Sequence, residues 1–113
     1  MDGLRLLPWT TPDGKPCYLS SGDADSRMNR RADEVEAVQL HMGTELLAHA
    51  RALLGDRRAH AGELRYLAHR LTEALRDALR IAESRGERLA AAAAAGEGAA
   101  ARERRGPQGP GVP

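Results

Sequence analysis

The sequence predicts a mainly α chain: an antiparallel two-helix hairpin, preceded by a short β-hairpin-like segment and followed by a disordered C-terminal tail. Three observations point there. Apolar residues recur at helical spacing over two long stretches, a Pro-Asp-Gly turn separates two short apolar runs near the start, and the last residues lack large apolar side chains. Hydrophobic residues make up 42% of the chain, but aromatics only 3% and Phe is absent. Burial must then come from Leu, Val, Ile, Met and Ala, which suits helix packing better than a β-sandwich.

The first segment, 1–22, contains the runs LRLLPW and CYLS on either side of Thr11-Pro12-Asp13-Gly14-Lys15. Pro presets φ, Asp can bond nearby backbone, and Gly tolerates positive φ, so a hairpin turn is expected there. Pro8 and Pro16 lack an N–H and shorten the ladder. A lone hairpin is marginal in water, so it must lie on the helices, with Trp9 and Tyr18 as the expected packing handles.

The helical hairpin is expected over 23–90. Ser20 to Ser26 form a polar linker with several candidate N-caps, and the first helix follows over about 27–54. Met28, Val35, Val38, Met42, Leu46, His49 and Leu53 share one stripe at i, i+3/i+4, i+7 spacing and are expected to be buried. Leu40, Leu47 and Leu54 form a second row, roughly 120 to 160° around the cylinder at about 100° per residue. Ala32, Gly43 and Ala50 lie between the rows and would admit a close backbone. One partner helix cannot cover both rows, so Leu40, Gly43, Leu47 and Leu54 are the expected partner interface.

Gly55 is placed to end the first helix in a left-handed C′ conformation, and the short loop through His60 forces the second helix antiparallel. That helix is expected over about 61–89. Leu64, Leu67, Ala68, Leu71, Leu75, Ala78 and Ala82 form its stripe, flanked by Leu79 and Ile81. Glu73 with Arg76 and Asp77 with Arg80 are candidate i, i+3 pairs. Residues 91–113, rich in Ala, Gly, Pro and Arg, are expected to be a disordered tail, because they offer too little apolar surface to offset ordering entropy.

Charge excludes little but disfavours some partners. Seventeen basic against sixteen acidic residues leave a net charge of +1, which supplies no global field for nucleic acid or an anionic membrane. Arg27, Arg30 and Arg31 cluster at the start of the first helix and Arg57 and Arg58 in the loop. Acidic Asp23, Asp25, Asp33 and Glu34 surround the first cluster, so a solvated surface is the simpler reading and nucleic-acid binding the alternative. No apolar run approaches the roughly 20 residues of a membrane span, and Pro8 interrupts Leu4, Leu6 and Leu7. A soluble cytoplasmic chain is expected.

Chemical leads are few. His41, Glu45 and His49 project along one face at four-residue steps, but a structural metal site needs four suitable ligands and no Cys/His motif supplies the rest. Glu45 pairing with a histidine accounts for the row. The order also differs from HExxH, in which the glutamate directly follows the first histidine. Cys17 is the sole cysteine, so it forms no internal disulfide, and a small buried hydrophobe describes it better than a nucleophile with Lys15 nearby. Asp13-Gly14-Lys15 lacks the spacing of a phosphate loop. No catalytic, cofactor-binding or metal residue is assigned.

The stretches RLLPWTTPDGKPCYLS, EAVQLHMGTELLAHARALL and LRYLAHRLTEALRDALRIAESRGERL together resemble a group of small uncharacterised actinomycete proteins. The resemblance spans nearly the whole chain before the tail. It implies a bacterial cytoplasmic setting and carries no catalytic residues. The expected role is that of a non-enzymatic accessory or interaction protein, which forms a homodimer like a short coiled-coil bundle or docks on a protein partner through its helix faces.

Overall fold

A computed structural model of the chain describes residues 3–20 and 26–105, with four elements in order: β1 (Leu4–Thr10), β2 (Pro16–Ser20), α1 (Ser26–Leu54) and α2 (Ala61–Arg105). The architecture is the expected helical hairpin with a two-stranded antiparallel sheet ahead of it. The N-caps expected within 21–25 lie outside the described residues.

The β turn forms as its residues dictate. Gly14 N–H donates to Thr11 O at 2.8 Å, Thr11 N–H donates to Lys15 O at 2.9 Å, and Gly14 sits at φ +86°. Pro12 and Asp13 are the central residues of the turn, and the left-handed glycine completes a three-residue hairpin loop. Leu4 to Leu6 pair with Ser20 to Tyr18, but the next pair is Thr10 with Pro16. Leu7, Pro8 and Trp9 therefore oppose Cys17 alone, a bulge that accommodates the missing N–H of Pro8.

Arg5, Leu6, Leu7 and Pro8 are all buried, so β1 is covered on both faces. This changes how the hairpin is held. Tyr18 stands 49% exposed and Trp9 is only half-buried, so neither is the expected handle. Polar side chains from both helices meet the β1 backbone instead: Ser84 Oγ donates to Leu6 O at 2.8 Å and Gln39 Nε2 donates to Pro8 O at 2.8 Å.

The helix seam also differs from the expected stripes. Along α1 the covered positions are Ala32, Glu36, Gln39, Gly43, Leu46, Ala50 and Leu53, at alternating three- and four-residue steps. Along α2 they centre on Leu67, Ala74 and Ile81, each seven apart. The line of small residues expected to lie between two apolar rows is thus the seam itself. Met28, Val38, Met42 and His49 are exposed, while Leu46 and Leu53 are half-buried on the seam and Val35 half-buried beside it. Small and polar residues win the central position because β1 packs in the same layer and needs Glu36 and Gln39 turned towards it. On α2, Ala68, Leu75 and Ala82 face outward with Leu79, and the flanking Ile81 is the buried one.

The helix ends reveal other chemistry. Gly55 does not take positive φ; its N–H continues the helical pattern to Arg51 O at 3.1 Å. The chain turns at Asp56, whose carboxylate accepts from Arg58 N–H at 2.9 Å while its carbonyl accepts from Ala59 N–H. At the start of α2, His60 Nδ1 accepts from Glu63 N–H at 3.2 Å and Glu63 Oε1 accepts from His60 N–H at 3.3 Å. This is a capping box with histidine in the place usually held by serine or threonine.

Past its expected end near 89, α2 continues to Arg105. Alanine is the strongest helix former, and the run Ala90–Ala95 carries the backbone past Gly86 and on through Gly96 and Gly98. The remainder of the expected tail, 106–113, lies outside the described residues. Of the expected ion pairs, Asp77 meets Arg80 at 3.3 Å, whereas Glu73 turns back to Arg70 at 3.4 Å rather than forward to Arg76.

Candidate docking surface

Two unlike surfaces flank the seam. On one flank a groove of about 440 Å³ is lined by Met42, Glu45, Leu46 and His49 from α1 and by Arg70, Glu73 and Asp77 from α2. Ser84 continues the row Arg70, Asp77 at seven-residue steps, and Gln39 also lines this groove. The β-hairpin straddles the seam at this end of the pair: Ser84 and Gln39 hold Leu6 and Pro8 from the groove side, while Arg5 reaches Asp33, seven residues before Leu40.

The opposite flank is leucine-rich. At about 100° per residue, Leu40, Leu47 and Leu54 fall on the side of α1 away from Met42 and His49, and Leu64, Leu71 and Leu75 on the side of α2 away from Arg70 and Asp77. Because the groove defines one side of the pair for both helices, both leucine rows share the other. Leu47 is 53% exposed and Leu75 60%; Leu40, Leu54 and Leu64 are exposed as well, and Leu71 is half-buried. Ala61, Ala68, Ala78 and Ala82 fill positions between the α2 leucines, so no charge interrupts this face of α2 from Ala61 to Ala82.

Three of the four expected interface residues, Leu40, Leu47 and Leu54, are thus brought to one surface. Gly43 is not: it sits half-buried on the intrachain seam. A Cβ at that position would have no heavy atom within 4 Å, so no backbone approaches it closely.

A buried polar centre, unforeseen in the sequence, fixes the hairpin to the helices. Glu36 is 2% exposed and its Oε2 lies 3.4 Å from Arg5 Nη2, while Oε1 faces Arg85 at 3.5 Å and Arg88 at 3.8 Å. The Arg5 side chain also donates to Asp33 Oδ1 at 2.7 Å and to Asn29 Oδ1 at 2.8 Å. Its Nε–H is buried without an acceptor among the described residues, so the centre is not fully compensated. The signal was present in the sequence as Glu36 and Gln39, polar residues at the same three- and four-residue steps as Ala32 and Gly43.

The other chemical leads disperse. His41 pairs with Glu45 at 2.9 Å on an exposed surface, while His49 lines the groove. Among the described residues no three of His, Cys, Asp or Glu stand close enough to hold a metal. Arg31 pairs with Glu34 at 3.8 Å, and Arg57 and Arg58 are exposed in the loop. Cys17 is a half-buried free thiol. Asp13 is held below the ordinary aspartate value of 3.8, chiefly by the Thr11 hydroxyl and then by its own backbone amide and Lys15. No helix among the described residues is long and apolar enough to cross a membrane. Set against protein-family models, curated proteins and solved structures, the chain matches none.

Proposed function

We propose that this chain is a non-enzymatic interaction protein, an accessory regulator that docks through its leucine-lined helix flank. One observation carries the reading. The fullest apolar row of α2 is Ala61, Leu64, Ala68, Leu71, Leu75, Ala78 and Ala82, and it is not the row that packs on α1. A heptad-like row of this kind normally marks a helix–helix contact. Burying a leucine is worth about 1.5–3 kcal/mol, so leaving several on one surface sacrifices much of what a small hairpin has available. Contiguous exposed apolar surface of this size is the signature of an association site.

Capture of binding partners by tagged chain in its native cell tests the reading. The pair Leu47→Glu/Leu75→Glu is expected to abolish capture, and Arg76→Glu, away from this flank, to preserve it. Capture unaffected by the leucine pair would refute docking through this surface.

A further inference from the structure

We infer that the occupant of the leucine flank is a second copy of this chain, packed face to face with the first as a four-helix arrangement. The inference rests on the reading above and names its partner.

The shape of the surface carries the argument. Two antiparallel helices present leucine rows at three-, four- and seven-residue steps, with alanines between them on α2 and Thr44 and Arg51 beside them on α1. Knobs of this spacing fit holes of the same spacing, so the face is complementary to itself, as a two-fold interface requires. Along α2 the face carries no charge between Ala61 and Ala82, and on α1 Arg51 is the one charge between Leu47 and Leu54, too little to select a strongly acidic or basic partner. At a rise of about 1.5 Å per residue and a width of about 10 Å per helix, the rows cover on the order of 600 Å² per copy. Two copies together then bury about 1,200 Å², the lower end of a specific interface.

The β-hairpin reaches this flank only at its edges, where Arg5 meets Asp33 seven residues before Leu40 and Tyr18 stands near Leu79, and it leaves Leu47, Leu54, Leu64 and Leu75 exposed. A membrane surface is a poorer occupant. The leucines would suit lipid, but the arginines of the two helices are interspersed with Glu34, Glu45, Glu63, Glu73, Asp77 and Glu83 and the net charge is only +1, so the polar side offers little attraction to anionic headgroups.

Sedimentation equilibrium of the purified full chain over a dilution series is the test. The expected result is a species of twice the 12.2 kDa chain mass at micromolar concentration. Leu47→Glu/Leu75→Glu is expected to be monomeric with its helical circular dichroism retained. Should that variant unfold, the milder pair Leu47→Ala/Leu75→Ala is expected to raise the dissociation constant at least about a hundredfold. A wild-type monomer throughout the series overturns the inference, as does a dimer indifferent to both pairs. A monomer whose cellular capture still depends on Leu47 and Leu75 overturns the second copy alone and leaves the docking reading in place; a monomer that floats with anionic vesicles replaces the second copy with lipid.

Discussion

Arg5 on β1 and Glu36 on α1 meet at 3.4 Å although 31 residues separate them, and both side chains are more than nine-tenths buried. A buried charge that loses its partner keeps its desolvation penalty, which is why breaking such a pair costs about 3–5 kcal/mol. Arg5→Ala is therefore expected to lower unfolding stability by about 3 kcal/mol in urea titration. Asp33→Ala, removing a mostly exposed partner of the same guanidinium, is expected to cost about 1 kcal/mol or less. Equal effects would mean that Glu36 does not anchor the hairpin.

Two glycines are expected to respond in opposite directions. A methyl group at Gly43 meets open space and replaces a poor helix former by the best one, so Gly43→Ala is expected to stabilise by about 1 kcal/mol. Gly14 sits at φ +86°, where a side chain is strained, and Gly14→Ala is expected to destabilise by about 1–2 kcal/mol. Thermal denaturation of both variants distinguishes them. Loss of stability in Gly43→Ala would reveal a close backbone contact at the seam.

The histidine capping box offers a third test. Glu63 N–H loses its side-chain acceptor in His60→Ala, at an expected cost of about 1 kcal/mol, while His60→Ser is expected to restore most of it. Helical content and denaturation midpoints measure both. Indistinguishable alanine and serine variants would show that the box contributes nothing.

The β turn responds to acid with a defined sign. Because the Thr11 hydroxyl favours the charged form of Asp13, the folded-state value lies below the unfolded one. The stabilisation is fully present above the ordinary value of 3.8 and is lost as pH falls through the lower folded value. A nuclear magnetic resonance titration should place the Asp13 midpoint below 3.8, and Thr11→Val should raise it. An unchanged midpoint in that variant would remove the hydroxyl as its cause.

Much of the fold was legible because it depends on local signals. Periodicity located both helices, and Pro12-Asp13-Gly14 located the β turn. The helix faces were not legible, because hydrophobicity alone ranks Val38, Met42 and Leu75 above Ala32, Glu36 and Ala74 as seam residues. That ranking fails where a third element shares the seam: Arg5 reaches Glu36 only because β1 packs beside it, and no local pattern encodes that distant contact. His60 does not stand out as a cap in the sequence, because serine, threonine, aspartate and asparagine dominate that position. At the candidate surface, the seven-residue step of Leu40, Leu47 and Leu54 was enough to find the α1 half. The α2 half is hidden from such a reading, because hydrophobicity assigns the more apolar row to the intrachain seam.

Thiol accessibility on the leucine flank tests the central claim most directly. With Cys17 replaced by Ser, a single cysteine is introduced by Leu75→Cys or, as an exposed control, by Arg76→Cys, and alkylation is followed under native conditions at micromolar concentration. The covered-flank account predicts that the cysteine at 75 reacts many times more slowly than the one at 76, and that dilution erases the difference. Equal rates at every concentration would contradict it.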